Sequence, residues 1–186
     1  MADVVSVVVL CGGTSRRLGG VDKTRQRLGE TTVLDRLLDA LPTAWAVTCV
    51  GDQRPTRRQV AWVREEPAGG GPVAAVAAAL SGLTDQTAVV LAGDMPFAGP
   101  LATTLPASVG GHDAAVAVTP DGRAQPLLGA YRTAALRQAL PADPGGVAMM
   151  TLLDRLDWAP VACDPTTALD LDTPADLQHA RHIVEP

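Results

Sequence analysis

Lysine is almost missing from this chain: of its 15 basic residues, 14 are arginine and Lys23 is the single lysine. Aromatic residues supply only 3% of the 186 positions, so any core has to be built from Ala, Val and Leu. No segment approaches the ~18 apolar residues of a membrane span. The start, Met-Ala-Asp-Val, lacks a basic flank, so no signal peptide is expected either. The three cysteines, Cys11, Cys49 and Cys163, form no C-x-x-C pair and no metal-ligand cluster. Their odd number and wide spacing predict a reducing, cytoplasmic compartment. Basic tracts and aromatic–basic interleaving are absent and the formal charge is −5, which excludes nucleic acid as an expected partner.

What the chain does have is a hydrophobic fraction of 47%, enough for a sizeable core and against wholesale disorder. The length suits one domain over residues 1–186, with no internal repeat and no dividing linker. The charge is uneven. Arg16, Arg17, Lys23, Arg25 and Arg27 face only Asp22 between residues 16 and 27, a net +4, while the remainder carries −9. A basic island in an acidic chain suggests a local anion site; a solvated turn is the plainer explanation of the charges alone.

Val4 to Leu10 is a near-continuous β-branched run suited to a strand buried on both faces. Further strands are predicted at Ala46–Val50, Ala61–Arg64, Ala88–Ala92, Ala114–Val118 and Leu127–Tyr131. Leu34, Leu37, Leu38 and Leu41 recur at helical spacing behind Thr32, a candidate N-cap. Pro72 suits the first position of a helix through Leu80, and helices are expected at Thr133–Leu140 and Val147–Leu156. The last helix is signalled by Thr173-Pro174-Ala175-Asp176, an N-cap Thr, an N1 Pro and an N3 acid. Strands alternating with helices predict a three-layer, Rossmann-like α/β fold with a mostly parallel, mixed central sheet. Such sheets bind ligands beyond the carboxyl ends of their strands. Cys11–Lys23, Glu65–Pro72 and Gly93–Pro96 occupy such ends.

The first of these reads Leu10-Cys11-Gly12-Gly13-Thr14-Ser15-Arg16-Arg17-Leu18-Gly19-Gly20-Val21-Asp22-Lys23. Paired glycines after a buried strand let the backbone approach a ligand and aim amides at its phosphates. Arg17 can grip a phosphate through two donors, and Lys23 adds a point charge. The P-loop pattern fails because Asp22 precedes Lys23, and G-x-G-x-x-G is absent. An ordinary strand–helix connection would account for the glycines taken alone. Gly93-Asp94-Met95-Pro96 puts an aspartate at a strand's carboxyl end, where it can hold Mg²⁺ together with substrate phosphates or simply close an Asx turn. Together the two segments describe phosphoryl-type chemistry, with cationic donors and a metal stabilising a transferring phosphorus.

The run Leu10-x-Gly12-Gly13-x-Ser15-x-Arg17-x-Gly19-Gly20-x-Asp22-Lys23 resembles the signature of the molybdenum cofactor guanylyltransferases, nucleotidyltransferases with a GT-A-like fold. Gly71-Pro72, Gly93-Asp94-Met95-Pro96-Phe97 and Leu169-Asp170-Leu171-Asp172-Thr173-Pro174-x-Asp176-Leu177 resemble the family's later segments in order, so the likeness covers nearly the whole chain. It implies transfer of GMP from GTP to the terminal phosphate of molybdopterin, with release of pyrophosphate. By motif position, Leu10, Cys11, Gly12 and Gly13 would bind the nucleotide. Arg17 and Lys23 would hold its phosphates, and Asp94 would bind Mg²⁺. Glu66 falls where the family often has an aspartate near the nucleotide. The attacking phosphate is already an anion, so no Ser-His-Asp set or catalytic thiol is required. Gly12-Gly13 matches the guanylyl branch, where the cytidylyl branch tends to read Ala-Gly.

The chain departs from the pattern at Cys11, where Ala is usual, at Gly51, where an Asn often contacts the nucleotide, and at Asp170 and Asp172, where asparagines stand. The stretch Pro144–Met150 lacks an Arg often found on the pterin side. Extra carboxylates repel a triphosphate unless a metal lies between them, so Asp170 and Asp172 imply either added metal ligands or another acceptor. Alternative expectations are therefore transfer to a different phosphorylated acceptor (cytidylyl transfer to pterin, a phospholactate or a sugar phosphate), or a non-catalytic nucleotide-binding module.

Overall fold

A computed structural model describes residues 5–12 and 22–185. In chain order the elements are β1 (Val5–Leu10), the hairpin β2 (Arg27–Leu28) and β3 (Thr31–Thr32), α1 (Val33–Asp39), β4 (Ala46–Val50), β5 (Ala61–Val63) and α2 (Pro72–Leu80). There follow β6 (Thr87–Ala92), the short α3 (Gly99–Ala102) and α4 (Leu105–Ser108), β7 (Ala114–Val118), β8 (Ala124–Arg132), α5 (Thr133–Ala139), α6 (Met149–Leu153), β9 (Trp158–Ala162) and α7 (Pro174–Val184). Seven strands form one sheet in the order β5-β4-β1-β6-β8-β7-β9. β5, β4, β1 and β6 run parallel, as do β7 and β9; β8 runs antiparallel to both of its neighbours.

The apolar run of β1 is buried on both faces because helices cover both. Val5, Val7 and Val9 pack with Leu34, Leu37 and Leu38 of α1 and with Ala102 and Leu105 of α3 and α4. Val8 and Leu10, of opposite parity, pack with Val73 and Val76 of α2, Leu136 of α5 and Leu152 of α6. Burying each such side chain contributes roughly 1.5–3 kcal/mol, so strand parity decides which helix goes on which side. The helix starts are local. Thr32 accepts from Asp35 N at 3.0 Å, and Thr173 and Asp176 close a capping box on α7.

The three-layer, mostly parallel but mixed sheet agrees with the expected fold. The hairpin β2–β3 and the short helices α3 and α4 were not expected, and two further elements differ for identifiable physical reasons. The helix expected over 147–156 is confined to Met149–Leu153, because Pro144-Gly145-Gly146, with Gly146 at φ +72°, holds the preceding chain as a loop. β9 was hidden in the sequence by Pro160, which removes a backbone donor. It lies at the sheet's edge, where a proline is tolerated.

Candidate active site

The chain leaves β1 towards β4 and β5, then crosses back to place β6 on β1's other side. The crevice of such a sheet opens where the direction reverses, beyond the carboxyl ends of β1 and β6. Here the ends are tied together: Cys11 N donates to Val50 O at 2.8 Å, and Gly93 N donates to Leu10 O at 2.8 Å. Gly93 favours glycine, because a Cβ there would crowd Cys11 Sγ and Leu10 O, each at 3.1 Å. Gly51, at φ +135°, is in the same position: its Cβ would meet Gly12 N at 3.1 Å. The Cys11–Gly12 backbone thus takes the space that a side chain at 51 would need.

Lys23 is delivered by a short 3₁₀ turn, Lys23–Arg25, which Asp22 caps by accepting from Thr24 N at 3.0 Å. This is the physical reason for the Asp-Lys pair: the acid starts the turn that aims the lysine. Lys23 Nζ lies 3.4 Å from Asp94 Oδ2 and makes a closer ion pair with Asp172 Oδ1. Asp94 therefore turns into the crevice and does not cap its own loop. Asp172 arrives because Leu171 N donates to Asp94 O at 3.1 Å, which lashes the segment before α7 to the end of β6. Burial disfavours the charge on Lys23, but Asp172 and Asp94 more than offset it, so its pKa stands above the ordinary lysine value. Asp170 moves upward too: partial desolvation comes first, then the negative charges of Asp172 and Asp94.

Gly12 is exposed at the head of the loop, while Leu10 ends β1 with its side chain in the core. Gly13 and Arg17 lie outside the described residues. Cys11 is buried, its Sγ donating to Val9 O at 3.6 Å. The neighbouring Cys49 and burial push its thiol pKa far upward, so it serves as a small core residue. Glu66 is exposed, and it is the adjacent Glu65, 8% exposed, that turns inward. Glu65 Oε1 accepts from Gly69 N at 3.0 Å, and Oε2 is buried with no hydrogen-bond partner among the described residues. A Cβ on Gly12 would lie 3.8 Å from that carboxylate. Position within a Glu-Glu pair carries no signal for which one is buried; the register of β5 and the turn at 67–70 decide it.

A cleft of about 490 Å³ continues from Asp94 and Asp170 between Gly71, Gln125, Gly146 and Met149. Gly146 N donates to Gly70 O at 2.8 Å and joins its walls. Gln125 Nε2 is buried in its lining without a partner among the described residues. His112 pairs with Asp157 at the opposite end of the sheet, away from the cleft. Among the described residues no three His, Cys, Asp or Glu side chains form a ready-made metal cage. Mg²⁺ ordinarily takes one or two protein carboxylates and completes its octahedron with phosphates and water. Asp94 and Asp172 already accommodate one cation, the Lys23 ammonium, between them.

The sequence profile of the MobA-like NTP transferase domain matches residues 7–159. A "Probable molybdenum cofactor guanylyltransferase" of Pelotomaculum thermopropionicum is 30% identical over 192 aligned residues, 96% of this chain and 92% of the relative. The solved molybdopterin-guanine dinucleotide biosynthesis protein A of Archaeoglobus fulgidus superposes with a TM-score of 0.74 at 25% identity, covering 97% of this chain and 98% of that one. The 2-C-methyl-D-erythritol 4-phosphate cytidylyltransferase of Thermus thermophilus shares the fold, with a TM-score of 0.74 at 21% identity over 96% and 98% of the two chains. With the profile matching most of its length and a relative similar from end to end, the chain belongs to the MobA-like NTP transferase family and is a nucleotidyltransferase.

Proposed function

We propose that the protein is an Mg²⁺-dependent guanylyltransferase that transfers GMP from GTP to the terminal phosphate of molybdopterin. The observation that carries this reading is the meeting of Lys23, Asp94 and Asp172 at the β1/β6 crevice. Mg²⁺, when bound, would supply Lewis-acid polarisation of the phosphates and neutralise their charge. Asp94 would hold it. Lys23 would leave its carboxylates to stabilise charge on the transferring phosphorus, and the Gly12 amide would face the phosphates. An oxygen of the acceptor phosphate attacks the α-phosphorus in line, and the bond to the leaving pyrophosphate breaks. The nucleophile is already an anion, so no side chain need remove a proton. Gly13 and Arg17 keep the roles their motif positions imply.

Guanine is supported by Glu65 as well as by Gly12-Gly13. Guanine carries adjacent N1–H and N2–H donors, which a carboxylate oxygen can accept, and Glu65 Oε2 is a buried acceptor without a partner among the described residues. The acceptor would enter the cleft beside Gln125 and Asp170. Three buried, free cysteines suit a cytoplasmic setting. No described helix is long and apolar enough to cross a membrane.

Pyrophosphate release tests the reading. GTP, Mg²⁺ and molybdopterin together should give turnover, with Lys23→Ala and Asp94→Asn each lowering it by about 10²-fold or more. Asp170 and Asp172 favour one second reading, the same chemistry on another phosphorylated acceptor. Turnover with a sugar phosphate or phospholactate and none with molybdopterin would establish it. Nucleotide binding without pyrophosphate release from any acceptor would sink both.

A further inference from the structure

Arg54 sits in the connection between β4 and β5, and neither the phosphate chemistry nor the recognised motifs use it. Its side chain is only 8% exposed. Four of the five guanidinium N–H donors are engaged. Nη1 pairs with Asp22 Oδ2 at 2.5 Å and donates to Thr24 Oγ1 at 2.5 Å; Nη2 donates to Cys11 O at 3.3 Å; Nε donates to Asp52 O at 3.0 Å. Its Cζ lies 5.4 Å from the centre of the Trp62 ring. Cys11 precedes the glycine-rich loop and Asp22 follows it, so one side chain grips both ends of a span whose ten intervening residues run from Gly12 to Val21. A planar fork can do this; a single ammonium cannot.

We propose that Arg54 is the positioning residue of the nucleotide loop, a clamp that holds the Cys11 carbonyl against the Asp22–Thr24 turn and so sets the separation of the Gly12 amide from Lys23. Holding the Cys11 carbonyl and the Asp22–Thr24 turn in register before the ligand arrives pre-organises the site and strengthens binding without a contact to the ligand. The role of the loop rests on the nucleotidyltransferase reading above; the clamp itself does not.

Two readouts separate them. In ligand-free protein, the backbone amides of Cys11, Thr24 and Arg25 should exchange with deuterium about tenfold faster in Arg54→Ala than in wild type, while β6 and α2 stay protected. Affinity for Mg·GTP should fall about tenfold. Arg54→Gln keeps bulk beneath Trp62 and should do the same if Arg54→Ala fails to fold. Arg54→Lys should restore thermal stability through Asp22 without restoring protection at those amides or affinity. Unchanged exchange in both Arg54→Ala and Arg54→Gln, or full restoration of both readouts by Lys, would overturn the clamp. Failure of the wild type to bind Mg·GTP would remove the nucleotide reading, and the exchange rates would still decide the assignment of Arg54.

Discussion

At the scale of single residues, Lys23 keeps its charge in a partly desolvated crevice because two carboxylates face it. With a folded pKa above the ordinary 10.5, its stabilisation is present in full below pH 10.5 and is lost as pH rises through the folded value. Lys23→Ala should therefore lower Tm equally at pH 7 and pH 9, and the difference should shrink only in stronger alkali. The same pairing competes with nucleotide for the ammonium. Asp172 is half exposed and a pair of that kind contributes only about 0–1 kcal/mol, so Asp172→Asn should barely move Tm. Its Mg·GTP affinity should rise about threefold as Lys23 is released. A raised Mg²⁺ requirement in that variant would instead make Asp172 a metal ligand. Lys23 was legible in the sequence as the sole lysine of a glycine-rich loop. Its partner Asp172, 149 residues away, was not, because tertiary contacts bring it there: the Leu171–Asp94 hydrogen bond and the packing of Leu171 against Leu28 and Val33. Glu65, in place of Glu66, was illegible for the same reason: burial is decided by tertiary register, not by residue type.

Elements with local causes were the ones readable from sequence. The α7 start needs only Thr173, Pro174 and Asp176, and the structure closes that box, with Thr173 N donating to Asp176 Oδ2 at 2.7 Å. β9 needed β7 beside it, and the α6 boundary needed the Gly70–Gly146 bond; neither is written in a short window. The cap bears on the site because it fixes the segment that carries Asp170 and Asp172. Thr173→Ala should cost about 1 kcal/mol, or roughly 2–4 °C in Tm for a chain of this size, with a larger proportional loss of turnover than of stability. Within that segment Asp170 is strained in the opposite sense to Lys23. Its folded pKa is raised above 3.8, so the protonated form is favoured in the fold and that contribution is lost as pH rises through the folded value. Asp170→Asn should thus raise Tm at pH 7, with the gain vanishing as pH falls below 3.8. A Tm gain independent of pH would mean that Asp170's charge is not the cause.

Over the whole molecule the fold class follows from β1, whose two parities serve two helix layers. The charge distribution follows from what the crevice must receive. A chain of net charge −5 gathers Asp94, Asp170 and Asp172 around Lys23, where the proposed function would seat a polyanionic triphosphate. Lys23 alone cannot balance them, so nucleotide and divalent cation should bind as a unit. Anything that binds only the folded state stabilises it, by about 2.7 kcal/mol at a hundredfold excess over Kd, or roughly 5–10 °C here. GTP with Mg²⁺ should produce a shift of that size in a thermal melt. GTP with a chelator should produce less than about 2 °C, because the uncompensated carboxylates oppose it. CTP with Mg²⁺ should fall between the two, since its phosphates are met equally while Glu65 Oε2 finds no N1–H donor. Equal shifts for GTP with and without Mg²⁺ would show that the basic loop outweighs the three aspartates, and the metal would then have no part in recruiting the nucleotide.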